Sequence, residues 1–344
     1  MADMTPPAGA PAFLAIHGWS GTISPVAGDA SFRRYFRVTQ ANRTAILMDA
    51  PPPHEDPRPF IAIAQWLRER GFAAPAIHAA DLDQGLVLLE DFGDARLREA
   101  ADADAAAALP LYEAAIDLLV ALRGHAPAEI APYDHDVLHR EAALLPEWYA
   151  PAVGLDVDVA GYHAAWDAVF DHALTDAPVT VLRDYHAENL MLVGSGKGLG
   201  LLDFQDALAG HPAYDLVSLL QDARRDVDPE VERVMLDRYR AATGVGESFM
   251  DAYHVLGAQR NAKIIGIFTR LWRRDGKPRY AALCPRVWSY LERDLSQPAL
   301  APVARWFDEN VPPELRGDPT VLSAGPVSVR SAPTQAAPCS TPRW

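Results

Sequence analysis

Cysteine is nearly absent: only Cys284 and Cys339 occur, far apart in the chain. That pattern gives no disulfide framework and no cysteine-ligated zinc site, and it points to a reducing cytoplasm. No H-E-x-x-H sequence and no G-x-S-x-G elbow is present, which removes support for zinc-protease and serine-hydrolase chemistry. No run of about 18 apolar residues exists, so nothing reads as a membrane span. The first residues are rich in Pro and Ala, with Asp3 and no basic segment ahead of an apolar stretch, and are not expected to be a secretory signal. Positive charge is scarce: 31 basic residues face 46 acidic ones, a formal charge of −15. Nucleic acid and anionic membrane are therefore disfavoured as bulk partners. Lysine is missing altogether before Lys197.

What remains is an ordinary globular composition, 49% hydrophobic and 22% charged, in 344 residues, enough for two lobes with their own cores. The stretch TVLRDYHAENLMLVGSGKGLGLLDFQD, residues 180–206, organises the rest. Two apolar runs, Leu190 to Val193 and Leu199 to Leu202, flank the turn GSGKG and predict a hairpin. A hairpin brings its ends together, so Asn189 and Asp203 are expected side by side, with Asp184 a loop's width away. A carboxylate to orient an acceptor hydroxyl, with an amide and a second carboxylate to hold magnesium, is what phosphoryl transfer needs. Taken singly, each of these residues is read as a helix cap or a turn former; together they fit the pattern R-D-x-x-x-x-N, with Arg183 leading. His186 is the other base in the loop. Asp184 is preferred because phosphoryl transfer demands little basicity, and His186 is expected to hold the loop by hydrogen bonds.

Ahead of this stretch, Phe32 to Val38 and Ala45 to Met48 predict antiparallel strands around a turn at 40–43. The turn before them, Gly28-Asp29-Ala30-Ser31, is small enough to let backbone N–H groups approach a phosphate. The prolines of 51–59 exclude regular structure there. A helix is predicted from Phe60 to Arg70, then strands at Pro75 to Ala80 and Leu86 to Glu90. Glu90-Asp91-Phe92 ends a buried strand in a link that can offer backbone groups to an adenine edge. Helices are expected at 102–123 (broken or kinked by Pro110), 135–150 (interrupted near Pro146), 157–174, 213–223, 229–242, 248–274, 287–295 and 302–311. Asp215, near a helix start, is expected to brace the 182–189 loop by accepting backbone N–H groups. From Pro313 the composition reads as a flexible tail. The units are thus a nucleotide lobe at 10–92, a helical catalytic and substrate lobe at 93–312, and a tail at 313–344.

The segments LRDYHAENLML, with D-x-H-x-x-N, and LLDFQDALAGHPAYDL, with D-F-x-x-A and P-x-x-D-L, resemble the aminoglycoside phosphotransferase and choline-kinase-like family. GDASFRRYFRV, MDAPPPHED, LVLLEDFGDA and LLDFQDA carry a narrower resemblance. It is to the bacterial branch that phosphorylates the anomeric position of recycled cell-wall N-acetylmuramate and N-acetylglucosamine. The resemblance covers roughly residues 10–310. It implies an α+β, protein-kinase-like bilobal fold: a small antiparallel-sheet N-lobe and a mainly helical C-lobe containing the catalytic hairpin. ATP and Mg²⁺ would lie in the cleft. It also implies Asp184 as catalytic base and Asn189 and Asp203 as metal ligands. Glu90, Asp91 and Phe92 would be the hinge, and the segment from Gly28, Asp29, Ala30 and Ser31 to Phe32 the phosphate loop. The partner would be a small amino sugar, the protein a cytoplasmic monomer.

Two departures stand out. Position 183 is Arg where the family usually has Gly. The strand Ala45 to Met48 ends in Met where kinases place the phosphate-binding lysine, so another cation must serve. Arg33, Arg34, Arg37 and Arg43 are the candidates, and Arg34 is preferred for following the GDAS turn closely. Arg260, Asn261, Arg270 and Trp272 are offered by one long helix for an acceptor, but sequence cannot aim them. An anomeric amino-sugar kinase is the leading reading. A kinase for an aminoglycoside, choline or related alcohol, and a catalytically silent nucleotide-binding relative, stand beside it.

Overall fold

The computed structural model describes residues 5–26, 33–194 and 198–323. The N-terminal part is a five-stranded sheet in the order β1-β2-β3-β5-β4, with every pair antiparallel. Its strands are β1 Thr22–Val26, β2 Arg34–Gln40, β3 Arg43–Asp49, β4 Ile77–Asp81 and β5 Leu86–Glu90. The strand β1 is additional to the sequence reading. Its ISPV core is short and interrupted by Pro25, tolerable because β1 is an edge.

Both faces of this sheet are covered, which explains why β5 is apolar without alternation. Leu86 and Leu88 join Leu47, Phe36 and Val38 under α1 (Ala10–Ile16), whose Phe13 and Leu14 cap that face. Val87, Leu89 and Met48 face the other way, onto Phe60, Ile63 and Leu67 of α2 (Arg58–Glu69) and the core of the C-terminal part. Each fully buried Leu or Phe contributes about 1.5–3 kcal/mol.

Beyond Glu90 the chain is mainly helical. Helices α3 (Leu97–Ala103) and α4 (Ala105–Arg123) replace the single helix expected at 102–123. The break falls at Asp104, which is extended at φ −145°, while Pro110 sits inside α4. Helix α5 (His135–Ala142) leads into a π-turn at Leu145–Tyr149 and the short α6 (Ala150–Ala152), the expected interruption at Pro146. Then come α7 (Val159–Ala173), α8 (Ala213–Leu220), α9 (Pro229–Thr243), α10 (Glu247–Arg273), α11 (Pro278–Ala281), α12 (Cys284–Leu295) and α13 (Ala301–Asn310). At 27 residues, α10 is about 40 Å long and forms the axis against which α5, α8, α11 and α12 pack. Gly266 makes the closest of these approaches possible: a Cβ there would lie 2.3 Å from the Leu144 carbonyl carbon.

Two small ladders interrupt the helices. Strands β7 (Leu190–Leu192) and β8 (Leu199–Leu201) form the expected hairpin, paired Leu190 with Leu201 and Leu192 with Leu199. Strands β6 (Val179–Val181) and β9 (Leu208–Gly210) form a second ladder outside it, which the sequence reading missed because each has only three residues. Among the described residues no helix is long and apolar enough to cross a membrane.

The expected flexible tail begins too early. Residues 313–315 form a 3-10 turn and Pro319–Leu322 form α14, and both pack on the body. The buried Tyr149 hydroxyl donates to the Leu315 carbonyl at 2.7 Å and accepts from the Gly317 N–H at 2.8 Å. Ending the chain after Pro312 strands that hydroxyl and costs about 1–3 kcal/mol. Thermal denaturation of chains ended after Pro312 and after Ser323 should show the loss only in the first.

Candidate active site

The β7–β8 hairpin does what its sequence demands. Its register puts Asn189 and Asp203 at neighbouring ends, and the ladder is extended by the Leu202 N–H donating to the Asn189 carbonyl at 3.1 Å. Asn189 Nδ2 donates to the Asp184 carbonyl at 3.0 Å and lies 3.4 Å from Asp203 Oδ2. Gln205 Nε2 donates to Asp203 Oδ1 at 3.0 Å. Asp203 takes a left-handed backbone, φ 59°, a conformation that costs a non-glycine residue about 1 kcal/mol or more and that gathers at functional sites. Its carboxyl is pushed up from the ordinary range, first by burial and then by the charge of Asp184. The side chain still keeps 46% of its surface, so the crowding of charge is the firmer part of that account. Asn189 and Asp203 thus lie side by side, with the Asp184 backbone against Asn189 and the Asp184 charge acting on Asp203.

Asp215 holds the loop from below. Its two carboxylate oxygens accept the backbone N–H groups of Leu182 and Arg183 at 2.6 and 2.8 Å. Burial pushes this carboxyl up to about 7, while the two N–H bonds pull it down. Arg183 itself is left-handed at φ 69°, the backbone that glycine adopts without strain. The arginine offsets this cost: its guanidinium donates to Glu141 and to the Asp206 carbonyl. Glu141 is buried and receives Lys263 and the Tyr133 hydroxyl as well.

His186 is a poor base here. It is 3% exposed, and burial drives its pKa down to about 3. Arg224 and the Asn189 amide both approach Nε2, at 3.2 and 3.4 Å, and both can only donate. Nε2 is thus the acceptor, the neutral ring carries its proton on Nδ1, and the residue holds the loop, as expected.

The four early arginines separate cleanly. Arg34, the preferred phosphate cation, instead forms a two-bond pair with buried Asp49 at 2.9 and 2.6 Å, directly across the β2–β3 register. Arg37 reaches Asp91 at 2.7 Å and Asp94 at 2.9 Å. Arg43 lies over the Trp19 ring at 4.0 Å. Arg33 is the one beside the carboxylates, 3.9 Å from Asp203 and 3.8 Å from Glu55. Glu55 carried no assigned role in the sequence reading, although MDAPPPHED contains it.

The expected hinge is divided. Asp91 spends its side chain on Arg37 and the Gly93 N–H, and Glu90 accepts from Ala76 N–H and Arg68. Phe92 rests on β8, where a Cβ on Gly200 would lie 2.8 Å from its ring. Glu90 and Phe92 line a hollow of about 250 Å³ with Arg68 and residues 71–74. Gly28, Asp29, Ala30, Ser31 and Phe32 lie outside the described residues. On α10, Asn261 is used by Gln221 and Asp294, and Arg260 donates to Ser218, which donates to the Arg183 carbonyl. Arg260 therefore supports the loop's backbone.

A family model, the phosphotransferase enzyme family, matches residues 22–253. The chain belongs to this family. Membership makes it an ATP-dependent phosphotransferase, a use of ATP that in this family typically goes with Mg²⁺. Within the phosphotransferases it is similar to the N-acetylmuramate/N-acetylglucosamine kinase of Caulobacter vibrioides, 39% identical with 89% of this chain and 96% of that one covered. It is similar to the kinase of the same name from Pseudomonas aeruginosa at 38%, covering 85% and 90%. A choline/ethanolamine kinase family protein from Mesorhizobium loti superposes with TM-score 0.61 over 87% of this chain and 97% of its own, at 13% identity. Choline kinase from Streptococcus pneumoniae does so at 0.57, covering 87% and 96%, with 11% identity. At such identities these structures establish the fold alone: α+β, bilobal and protein-kinase-like.

The donor types suit magnesium. Asn189 Nδ2 is committed to the Asp184 carbonyl and lies against Asp203, so Oδ1 carries none of these bonds, and an amide oxygen and a carboxylate plus phosphates are the habit of that ion. Among the described residues no cluster of three His, Cys, Asp or Glu offers an alternative metal site.

Two outcomes test these supports. Asp215→Asn turns an amide NH₂ against one of the two loop N–H groups. It should speed hydrogen exchange at 182 and 183 and lower turnover by about tenfold or more, the scale of one lost buried charge-assisted bond. Unchanged exchange at those amides would remove Asp215 from the support. Arg37→Met tests the clamp on the hinge. Burial raises the Asp91 carboxyl, but the bonds from Arg37 and the Gly93 N–H outweigh it, and the net direction is down. A depressed carboxylate stabilises the fold above its unfolded pKa of about 4 and loses that contribution as pH falls below it. Wild type should therefore exceed Arg37→Met by about 1–3 kcal/mol at neutral pH, and the gap should close under acid in denaturant titrations.

Proposed function

We propose that the protein transfers the γ-phosphoryl group of ATP to the anomeric hydroxyl of N-acetylmuramate and N-acetylglucosamine, in the recycling of cell-wall sugars. The observation that carries this reading is the agreement of the relatives above on one named activity, over nearly the whole of both chains. The grouping of Asp184, Asn189 and Asp203 supports the chemistry.

Asp184 is the group that orients the sugar hydroxyl and takes its proton as the bond from that oxygen to phosphorus forms. The bond from phosphorus to the bridging oxygen breaks, and ADP leaves without a covalent enzyme intermediate. His186, neutral and buried, keeps Asn189 and the loop in place rather than receiving the proton. Asn189 and Asp203 would hold Mg²⁺, which when bound neutralises charge on the phosphates. The small lobe would place the nucleotide, with Glu90 to Phe92 beside its base.

Asp184→Ala and Asp203→Ala should each lower turnover by about a hundredfold or more. Near-normal turnover of folded Asp203→Ala at controlled metal would take that residue out of the mechanism. A panel of acceptors, with the new phosphate located by phosphorus NMR, tests the substrate. Phosphate at C1 of both amino sugars is the expected result, and transfer only to an aminoglycoside or choline would overturn it.

A further inference from the structure

Kinases of the protein-kinase type commonly steady nucleotide phosphates with a lysine of the third strand, held by a glutamate of the following helix. This chain lacks both members of that pair. Strand β3 offers Met48, buried in the apolar layer and aligned with Tyr35 on one side and Val87 on the other. The sequence of α2 contains a single acid, Glu69, which stands in its last turn, exposed and paired with Arg70.

A different pair occupies the cleft. Arg33 precedes β2, and its guanidinium lies 3.8 Å from Glu55 Oε2 through Nε and 3.9 Å from Asp203 Oδ1 through a terminal nitrogen. Glu55 belongs to the turn between β3 and α2, where the Pro51 carbonyl accepts the N–H groups of both His54 and Glu55 at 3.1 and 3.2 Å. The two side chains retain 11% and 20% of their exposure, so the pair is largely desolvated. Burial pushes the hydroxyl of Tyr35, the β2 neighbour of Met48, up to about 12, and the charges of Arg33, Asp203, Glu55 and Asp206 all act on it.

We infer that Arg33 is the phosphate-binding cation of this enzyme and Glu55 its positioning partner, an ion pair moved from strand β3 and helix α2 to the residue before β2 and the turn before α2. This rests on the phosphotransferase reading but not on the identity of the sugar. Arginine presents a planar fork that can meet two phosphate oxygens at once, where lysine presents a point charge. Its longer reach also suits a site at the head of β2, farther back in the chain than the strand residue it replaces.

Binding of ADP and of adenosine to the purified full chain, measured by calorimetry with and without Mg²⁺ and with no sugar present, tests the pair. Arg33→Ala should weaken ADP about tenfold to a hundredfold, the scale of lost charge-assisted bonds, and leave adenosine unchanged. Glu55→Gln should weaken ADP by a smaller factor, and its effect should vanish in the Arg33→Ala background because it acts through Arg33. Arg33→Lys should recover part of the affinity, and it carries the ADP-against-adenosine contrast if the alanine variant does not fold. ADP affinity within about twofold of wild type in Arg33→Ala would overturn the inference, given the expected scale. So would an equal loss for adenosine, or a Glu55→Gln effect that persists without Arg33. Failure to phosphorylate an amino sugar would leave these results untouched, so the two readings fail separately.

Discussion

Two backbone N–H groups aimed at one buried carboxylate hold this site in shape. Asp215 under Leu182 and Arg183 holds the backbone on both sides of the left-handed turn at 183 that leads into Asp184. A glycine would make that turn without strain. The arginine costs about 1 kcal/mol of backbone strain but extends the brace sideways, to Glu141 on α5 and through it to Lys263 on α10. Arg260 and Ser218 add a third strut to the Arg183 carbonyl. The loop is thus supported by helices that contribute no atom to the grouping of Asp184, Asn189 and Asp203.

The two lobes share one apolar core through Met48, Val87, Leu89 and α2, and specific contacts join them beside the site. Phe204, the residue after Asp203, stacks on Phe60 of α2 with ring centres 4.9 Å apart, so the segment carrying one carboxylate is seated against the small lobe's helix. Such a pair adds about 0.5–1.5 kcal/mol beyond its area. Phe92 fills the space that glycine leaves at position 200, and Arg37 ties the link between lobes back to β2.

Much of this was legible in the sequence because the strongest signals were local. The hairpin followed from two apolar runs and a glycine-rich turn, and its closure at Asn189 and Asp203 followed from pairing geometry alone. Asp215 was readable as a brace because a carboxylate near a helix start is favoured by the helix terminus and can also accept backbone N–H groups from a neighbouring loop. What could not be read was the partner of each arginine. Arg33, Arg34 and Arg37 are nearly adjacent, yet they end at the cleft, at Asp49 and at Asp91. Strand alternation narrows the choice, but the acid beside each one comes from 15 residues away for Arg34 to as far as Asp203 for Arg33. The three-residue ladder β6–β9 was missed for a related reason: its periodicity is too short to register, and only the pairing of distant segments creates it. The tail was misread because proline-rich composition signals irregular backbone, not absence of packing, and Tyr149 lies well over a hundred residues upstream.

The charge of the cleft follows from its task. Asp184 and Asp203 are close enough to raise the latter's pKa, and Asp206 and Glu55 stand near them around Tyr35. In an apolar setting such a cluster would take up protons; its ionisation requires cations, some from the chain and some from solution. Arg33 supplies one from the chain, 3.9 Å from Asp203. Arg34, by contrast, is turned onto the buried Asp49 of β3. The same comparison explains why a chain so poor in lysine can place several arginines in one short segment. Arg34 and Arg37 build the lobe through Asp49 and Asp91, and Arg33 lies beside Asp203, where an anionic ligand would arrive.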